Sequence, residues 1–430
     1  MKLLIQGGRV LDPSSGRDEV ADIAVGAGRI LAIGAATAGF EADRVVDAQG
    51  CWVVPGLVDL CARLKEPGFE HEGMLESEMA AAVAGGVTSL VCPPDTDPVL
   101  DEAGLVEMLK FRAERLNQAR VLPLGALTRG LNGEVLTEMV QLTDSGCVGF
   151  GQAERPIVNT QVLQRALQYA ATFGHTVWLR PQDPWLGQGV AASGALATRM
   201  GLSGVSVAAE VIALHTIFAL LRSTRARVHL CRISSAEGLT LVRAAKAEGL
   251  AVTCDVSIHN LHLIDVDMGF YDSRAHLQPP LRQDKDRQAL RAGLADGSID
   301  ALVSDHNPVQ PDAKAQTFAE SEPGATAVEM LLGAALKWAQ QDGVDTMQAL
   351  RVLTQGPAHV LGASLGSLQS SVGRLVEGGV ADIAVIDPSG EMTVDASCLR
   401  SQGMHTPFEG WALPAQVRCT VANGQVAFSA

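Results

Sequence analysis

Between residues 85 and 305 the chain alternates two kinds of hydrophobic pattern. Short continuous apolar runs (GVTSLVC, ARVLPLGAL, CVGFG, HTVWLR, RVHLCRIS, LAVTCDVS, IDALVSDH) are separated by longer stretches such as EAGLVEMLKFRAERL and VAAEVIALHTIFALLRS, where apolar residues recur at helical spacing. Runs that are Val/Ile/Leu-rich on both parities predict strands buried on both faces, and helices between them imply parallel pairing. GLVDLCAR at the front brings the count to eight. An α/β fold closed as a (β/α)8 TIM-like barrel over residues 55–365 is therefore predicted, with a doubly wound open sheet disfavoured by the lack of GxGxxG at a first βα turn.

The two ends carry a different pattern. Residues 1–54 (KLLIQGGRVLD, EVADIAVGAGRILAIG, DRVVDAQGCWVV) and 366–430 (VGRLVEGGVADIAVIDP, VRCTVANGQVAFS) are short strands joined by Gly-rich turns without helical periodicity. They predict one small β-sandwich domain built from both chain termini.

Charge narrows the partners. With 33 Lys+Arg against 48 Asp+Glu the chain carries a net charge of −15, which repels phosphate backbones and anionic lipid heads, so neither nucleic acid nor a membrane surface is expected. MKLLIQGGRVLDP lacks the long apolar core of a secretion signal, and a cytoplasmic location is expected. The eight cysteines are scattered, mostly inside apolar strands, with no CxxC pair. They read as reduced structural residues.

In a barrel of this kind the residues just past each strand converge at one mouth, whatever their separation in sequence. Those positions hold Cys61, Arg63 and Lys65 after strand 1, Asp95 after strand 2, Gln152 to Glu154 after strand 4, Arg180 after strand 5, Arg232 after strand 6, His259 after strand 7 and Asp305 after strand 8. Three arginines converging on a few carboxylates are poor passive filler, because an unpaired buried charge is costly. At least one arginine is expected to pair with Asp305, while Asp95, Glu154 or a bound anion takes the surplus positive charge. His229, Cys231 and His259 read as core or hydrogen-bonded residues.

The segments PGLVDL, LQPPLR (277–282), SDH (304–306) and TPFEG (406–410), spread over the whole length, make the chain resemble the dihydroorotases within the cyclic amidohydrolases. The resemblance implies a strand 1 His-x-His followed by Arg, where this chain has Cys61, Arg63 and Lys65. It implies a carboxylated lysine or aspartate after strand 4, where Gln152 and Ala153 stand, and metal-binding histidines at Arg180 and Arg232. An asparagine and a histidine that contact substrate correspond to Asp95 and Val309. Of the metal and base set only Asp305 matches.

The expectation is a non-catalytic pseudoenzyme with no metal and no cofactor, in which Cys61, Arg63, Lys65, Asp95, Ala153, Arg180, Arg232, His259 and Asp305 form a vestigial site. The resemblance further implies the inactive dihydroorotase-like subunits that associate with aspartate transcarbamoylase in pyrimidine biosynthesis, and hence that enzyme's catalytic chain as partner, with a homo-oligomer as another assembly. Two other readings stay open: an anion-binding module using Arg63, Arg180 and Arg232, and an active dihydroorotase or related cyclic amidohydrolase.

Overall fold

A computed structural model describes residues 2–430. Among them, eight parallel strands build the barrel: β1 Leu57–Asp59, β2 Val87–Cys92, β3 Arg120–Pro123 continuing as Gly125–Ala126, β4 Phe150–Gly151, β5 Thr176–Leu179, β6 Arg227–Leu230, β7 Val252–Ser257 and β8 Ala301–Val303. Each pairs in parallel with the next. The ring closes where Ala62 bridges His306 and Arg63 N donates to His306 O at 2.8 Å.

Strand alternation sorts the core into two layers. Val58, Leu60, Val91, Leu122, Leu124, Trp178, Ala301 and Val303 fill the barrel interior. Leu57, Leu90, Val121, Phe150, Val177, Val228, Val256 and Leu302 belong to the larger apolar cluster shared with the helices. Both layers are buried, which is why these strands read as continuous apolar runs.

The termini form a single eight-stranded sheet, seven strands along one hydrogen-bonded path and the eighth, Arg44–Asp47, pairing off it with Lys2–Asp12. Trp52–Pro55 is its junction: it pairs in parallel with Lys2–Asp12 and antiparallel with Ile383–Thr393, so N- and C-terminal segments meet across it. One face gathers Leu3, Ile5, Ile23, Val25, Val53, Ile383, Val385 and Val421 in a cluster of its own. On the other face Ala384, Ile386, Leu413 and Val417 join the outer core of the barrel. The passage from sheet to barrel runs through Pro55-Gly56, where a Cβ on Gly56 would sit 2.1 Å from Thr88 Oγ1 and 2.7 Å from its Cβ. Only glycine allows that approach.

Helix Val207–Thr224 is long and apolar enough by composition to cross a bilayer. Here it buries Ala209, Leu214, Ile217, Phe218 and Leu221, and its buried Glu210 accepts from Ser234 N (2.8 Å) and Oγ (2.7 Å) and from Ser235 N (3.1 Å). That is the behaviour of a barrel-wall helix. All eight cysteines are free, and five of them (61, 92, 147, 254, 419) are buried; Cys398 is exposed, against the expectation of a core position.

Candidate functional site

The strand ends deliver their residues to the mouth through unusual backbone. Lys65, Ala153, Arg232 and Asp305 have φ of 64°, 48°, 55° and 54°, in the left-handed region that non-glycine residues seldom occupy. At Arg232 this turn breaks the alternation of β6: His229 packs against Trp178 in the barrel with ring centroids 4.3 Å apart, whereas Arg232 leaves the strand into the mouth. Strain of this kind persists only where surrounding contacts fix it, and it concentrates at ligand sites.

Glu154 is the hub. Its Oε1 accepts from Arg63 Nη2 at 2.8 Å and from Arg232 Nη2, and its Oε2 is ion-paired with Arg180 Nε. Arg63 Nε also donates to Asp95 Oδ2 at 2.9 Å, and Arg232 Nη1 donates to Asp305 Oδ1 at 2.9 Å and to Gln278 O at 3.1 Å. The expected pairing of Asp305 is thus made by one arginine, while Glu154 and Asp95 absorb the rest. Burial alone would raise the Glu154 carboxyl, but Arg180, Arg232 and Arg63 together hold it well below the usual carboxylate range. At Asp305 burial prevails over Arg232 and Arg63 and the carboxyl is pushed up. Burial lowers Arg180, only partly offset by Glu154.

The remaining expected site residues lie around this network. Cys61 is buried with its Sγ 3.7 Å from Asp305 Oδ1, and burial pushes the thiol well up, so it is no thiolate. Lys65 Nζ pairs with Glu72 Oε2 at 2.5 Å, both side chains less than a tenth exposed. His259 stacks on Phe408 with centroids 5.4 Å apart, exchanges hydrogen bonds with Ser257, and is lowered by burial to about 3. Gln152 bonds Thr128, and Ala153 leaves the network to line a neighbouring cavity.

A cavity of about 230 Å³ opens at the mouth, lined among others by Arg63, Lys65, Asp95, Glu154, Arg232 and Asp305. Arg180 does not line it; it faces a second cavity of about 200 Å³ on the other side of the hub. With Glu154 and Asp95 taking up the arginines' charge, no positive surplus is left for an anion at this mouth. Around the first cavity Glu72, Asp95, Glu154, Asp305 and Glu322 stand against Arg63, Lys65 and Arg232. One pocket that holds an anion with three arginines is therefore not what the chain builds.

The metal that the resemblance implies does not fit this donor set. Arginine offers no lone pair, and at this mouth Glu154, Asp95 and Asp305 are each already engaged by guanidinium groups. Deeper in the barrel the donor atoms of His229, Cys231 and Asp255 lie within 4.8 Å of one another. Two of the three are satisfied internally: His229 Nε2 and Nδ1 lie 2.8 Å from Asp255 Oδ2 and Thr253 Oγ1, and Asp255 Oδ1 accepts from Arg232 N at 2.6 Å.

Sequence reasoning passed over several partners. Glu72 and Glu322 reach the cavity from loops, and Gln278 contributes a backbone carbonyl, for which no strand-end rule selects them. His306 beside Asp305 is structural: Nδ1 accepts from Ala327 N at 3.0 Å, which leaves Nε2 to donate to Glu78 Oε2 at 2.8 Å.

Comparison with known proteins places this geometry among relatives. The family described as Dihydro-orotase-like matches residues 50–238, and the Amidohydrolase family matches residues 199–427. The chain is 44% identical to the dihydroorotase-like protein of Pseudomonas putida over 99% of both chains. It is 38% identical to the dihydroorotase of Geobacter sp. (strain M21) over the full length of both. Among solved structures, the L-hydantoinase (dihydropyrimidinase) from Arthrobacter aurescens superposes with a TM-score of 0.87 at 23% identity, covering 99% of this chain and 95% of that one. The expectation that the chain is no enzyme is overturned here, because a protein named as an enzyme is related to it from end to end. Missing histidines argue against one mechanism; they do not remove the chain from an enzyme family.

Proposed function

Because this chain belongs to the amidohydrolase family, in its dihydroorotase-like group, we propose that it takes a cyclic amide or cyclic ureide ring into the barrel mouth and handles it with arginine and carboxylate groups in place of a histidine-held metal. The observation that carries this reading is the cavity of about 230 Å³ in which donors of Arg63 and Arg232 lie beside acceptors of Asp95, Asp305 and Gln278. A ring that alternates C=O and N–H presents acceptors to the guanidiniums and donors to the carboxylates. The acidic balance of the lining favours a neutral ring such as hydantoin over dihydroorotate, which carries a carboxylate, and over an open-chain ureido acid, which carries further negative charge. For ring opening, Asp305 would take a proton from water as the water oxygen bonds to the ring carbonyl carbon, Arg232 N–H groups would stabilise the charge on the carbonyl oxygen, and Asp305 would return the proton to the ring nitrogen as the C–N bond breaks.

The test uses protein dialysed against a chelator and offered hydantoin and dihydroorotate, with binding and turnover measured separately. Saturable binding, with any turnover lost in Asp305→Asn, supports the reading. Absence of binding by either ring sinks it, and turnover that appears only on adding a divalent metal removes the metal-free part.

A second reading, association with the catalytic chain of aspartate transcarbamoylase, rests on the family resemblance alone. Co-expression followed by size exclusion tests it. Independent elution at micromolar concentration counts against it.

A further inference from the structure

The second cavity lies between the segment after β4, the segment after β5 and helix Val207–Thr224. Its walls are largely apolar, with Ile157, Leu163, Leu179, Ile212 and Ile217, and Trp185 stands at its rim 71% exposed. Arg180 lines it with a side chain only 5% exposed. Arg180 is ion-paired with Glu154 through Nε, but Nη2 is buried and finds no acceptor among the described residues. A buried guanidinium N–H without a partner costs stability, and Arg180 is one of the residues lining this largely apolar cavity.

The charged residues around this cavity are Arg155, Arg180 and Asp183, and Asp183 is already occupied, with Oδ1 accepting from Trp185 N at 3.0 Å and Leu186 N at 2.9 Å. Two guanidiniums against one carboxylate make the lining positive by one charge, opposite to that of the mouth. We propose that this cavity binds a small monocarboxylate with an apolar body, its carboxylate on the Arg180 guanidinium and its body among Ile157, Leu163, Leu179, Ile212 and Ile217. A planar carboxylate matches the fork of donors. A phosphate dianion would bring a second charge toward Glu154 and leave the apolar walls unfilled. The site is separate from the ring site at the mouth, since Arg180 lines only this cavity and Arg63 and Arg232 line only the other.

Titration calorimetry on the full chain with 3-phenylpropionate, its amide and inorganic phosphate tests the proposal. The carboxylate should bind saturably, the amide about tenfold more weakly or worse, and phosphate should not compete. Arg180→Gln should abolish binding. Because Arg180 also touches Glu154, Ile212→Trp is the second variant: Ile212 is 44% exposed on the helix surface, and the larger ring fills the cavity without reaching the hub. It should abolish carboxylate binding with the melting temperature unchanged. Equal binding of acid and amide, full competition by phosphate or by hydantoin, an Ile212→Trp protein that binds like the parent, or no saturation by about 10 mM would each overturn the proposal. Hydantoin competition would in addition assign the carboxylate to the mouth. The ring-binding reading stands or falls on its own assay.

Discussion

Arg232 donates from Nη1 to Asp305 Oδ1 at 2.9 Å, joining the ends of β6 and β8 over the end of β7. Both residues have positive φ, so the ion pair and the strained backbone hold each other in place. The pair is one arm of a network whose centre is Glu154, and the arms differ in what they contribute. Glu154 faces three guanidiniums and is favoured as an anion, whereas Asp305 faces one closely and is pushed toward its protonated form by burial.

Glu154→Gln should therefore cost about 3 kcal/mol at neutral pH, since it leaves three buried guanidiniums short of a counter-charge. The folded-state pKa of Glu154 is depressed, so its contribution is fully present above the unfolded value of 4.5 and is lost as pH falls through the folded value. Urea denaturation of parent and variant should show a gap that is widest at neutral pH and narrows below about pH 4.

Asp305→Asn should cost less, about 1 kcal/mol or under. With its folded pKa raised, the sign is opposite: the stability tied to this carboxyl is present below the unfolded value and is lost as pH rises through the folded one. At neutral pH the parent already bears the cost of the buried charge. A larger loss for Asp305→Asn than for Glu154→Gln would show that Asp305 is the hub.

Lys65 and Glu72 form a buried pair at the rim of the cavity. Lys65→Met and Glu72→Gln should each destabilise by about 3 kcal/mol, and the double variant by clearly less than their sum. Additive losses in thermal unfolding would mean that the pair contributes nothing as a pair.

Three buried imidazoles predict an acid limb. Burial lowers His259 to about 3, and His262 and His276 to about 4, so each is held neutral in the fold but takes a proton on unfolding. Stability from each is complete above pH 6.5 and is lost as pH falls from there toward the folded value, at roughly 1.4 kcal/mol per pH unit per group. His259→Phe, which keeps a ring against Phe408, should make the pH dependence of urea denaturation shallower between pH 6 and 4.

Zinc should not be retained. Elemental analysis of dialysed protein should give well under one equivalent per chain, and chelator should leave the melting temperature where it was, because the lone pairs at the mouth are already engaged by guanidiniums. Tightly held metal in stoichiometric amount would mean that Glu154 and Asp305 leave their arginines.

The eight strands, their order and the meeting of the two termini were legible in the chain itself, because burial on both faces leaves a local mark: an uninterrupted apolar run, then a turn, then a helical period. The arginines at strand ends 1, 5 and 6 and the carboxylates at strand ends 2, 4 and 8 were legible too, once the barrel was assumed. Which charge meets which was not. That Arg232 turns out of its strand, that Glu154 rather than Asp305 collects three guanidiniums, and that Arg180 faces a different cavity from Arg63 and Arg232 follow from positive φ angles and loop paths set by contacts between distant residues, such as Arg63 and Glu154, 91 positions apart. Hydrophobic period is a property of neighbours in sequence, and the sequence by itself determined what depends on it. Ion pairing depends on angstrom-scale distances between distant segments, and only the closed barrel decided those.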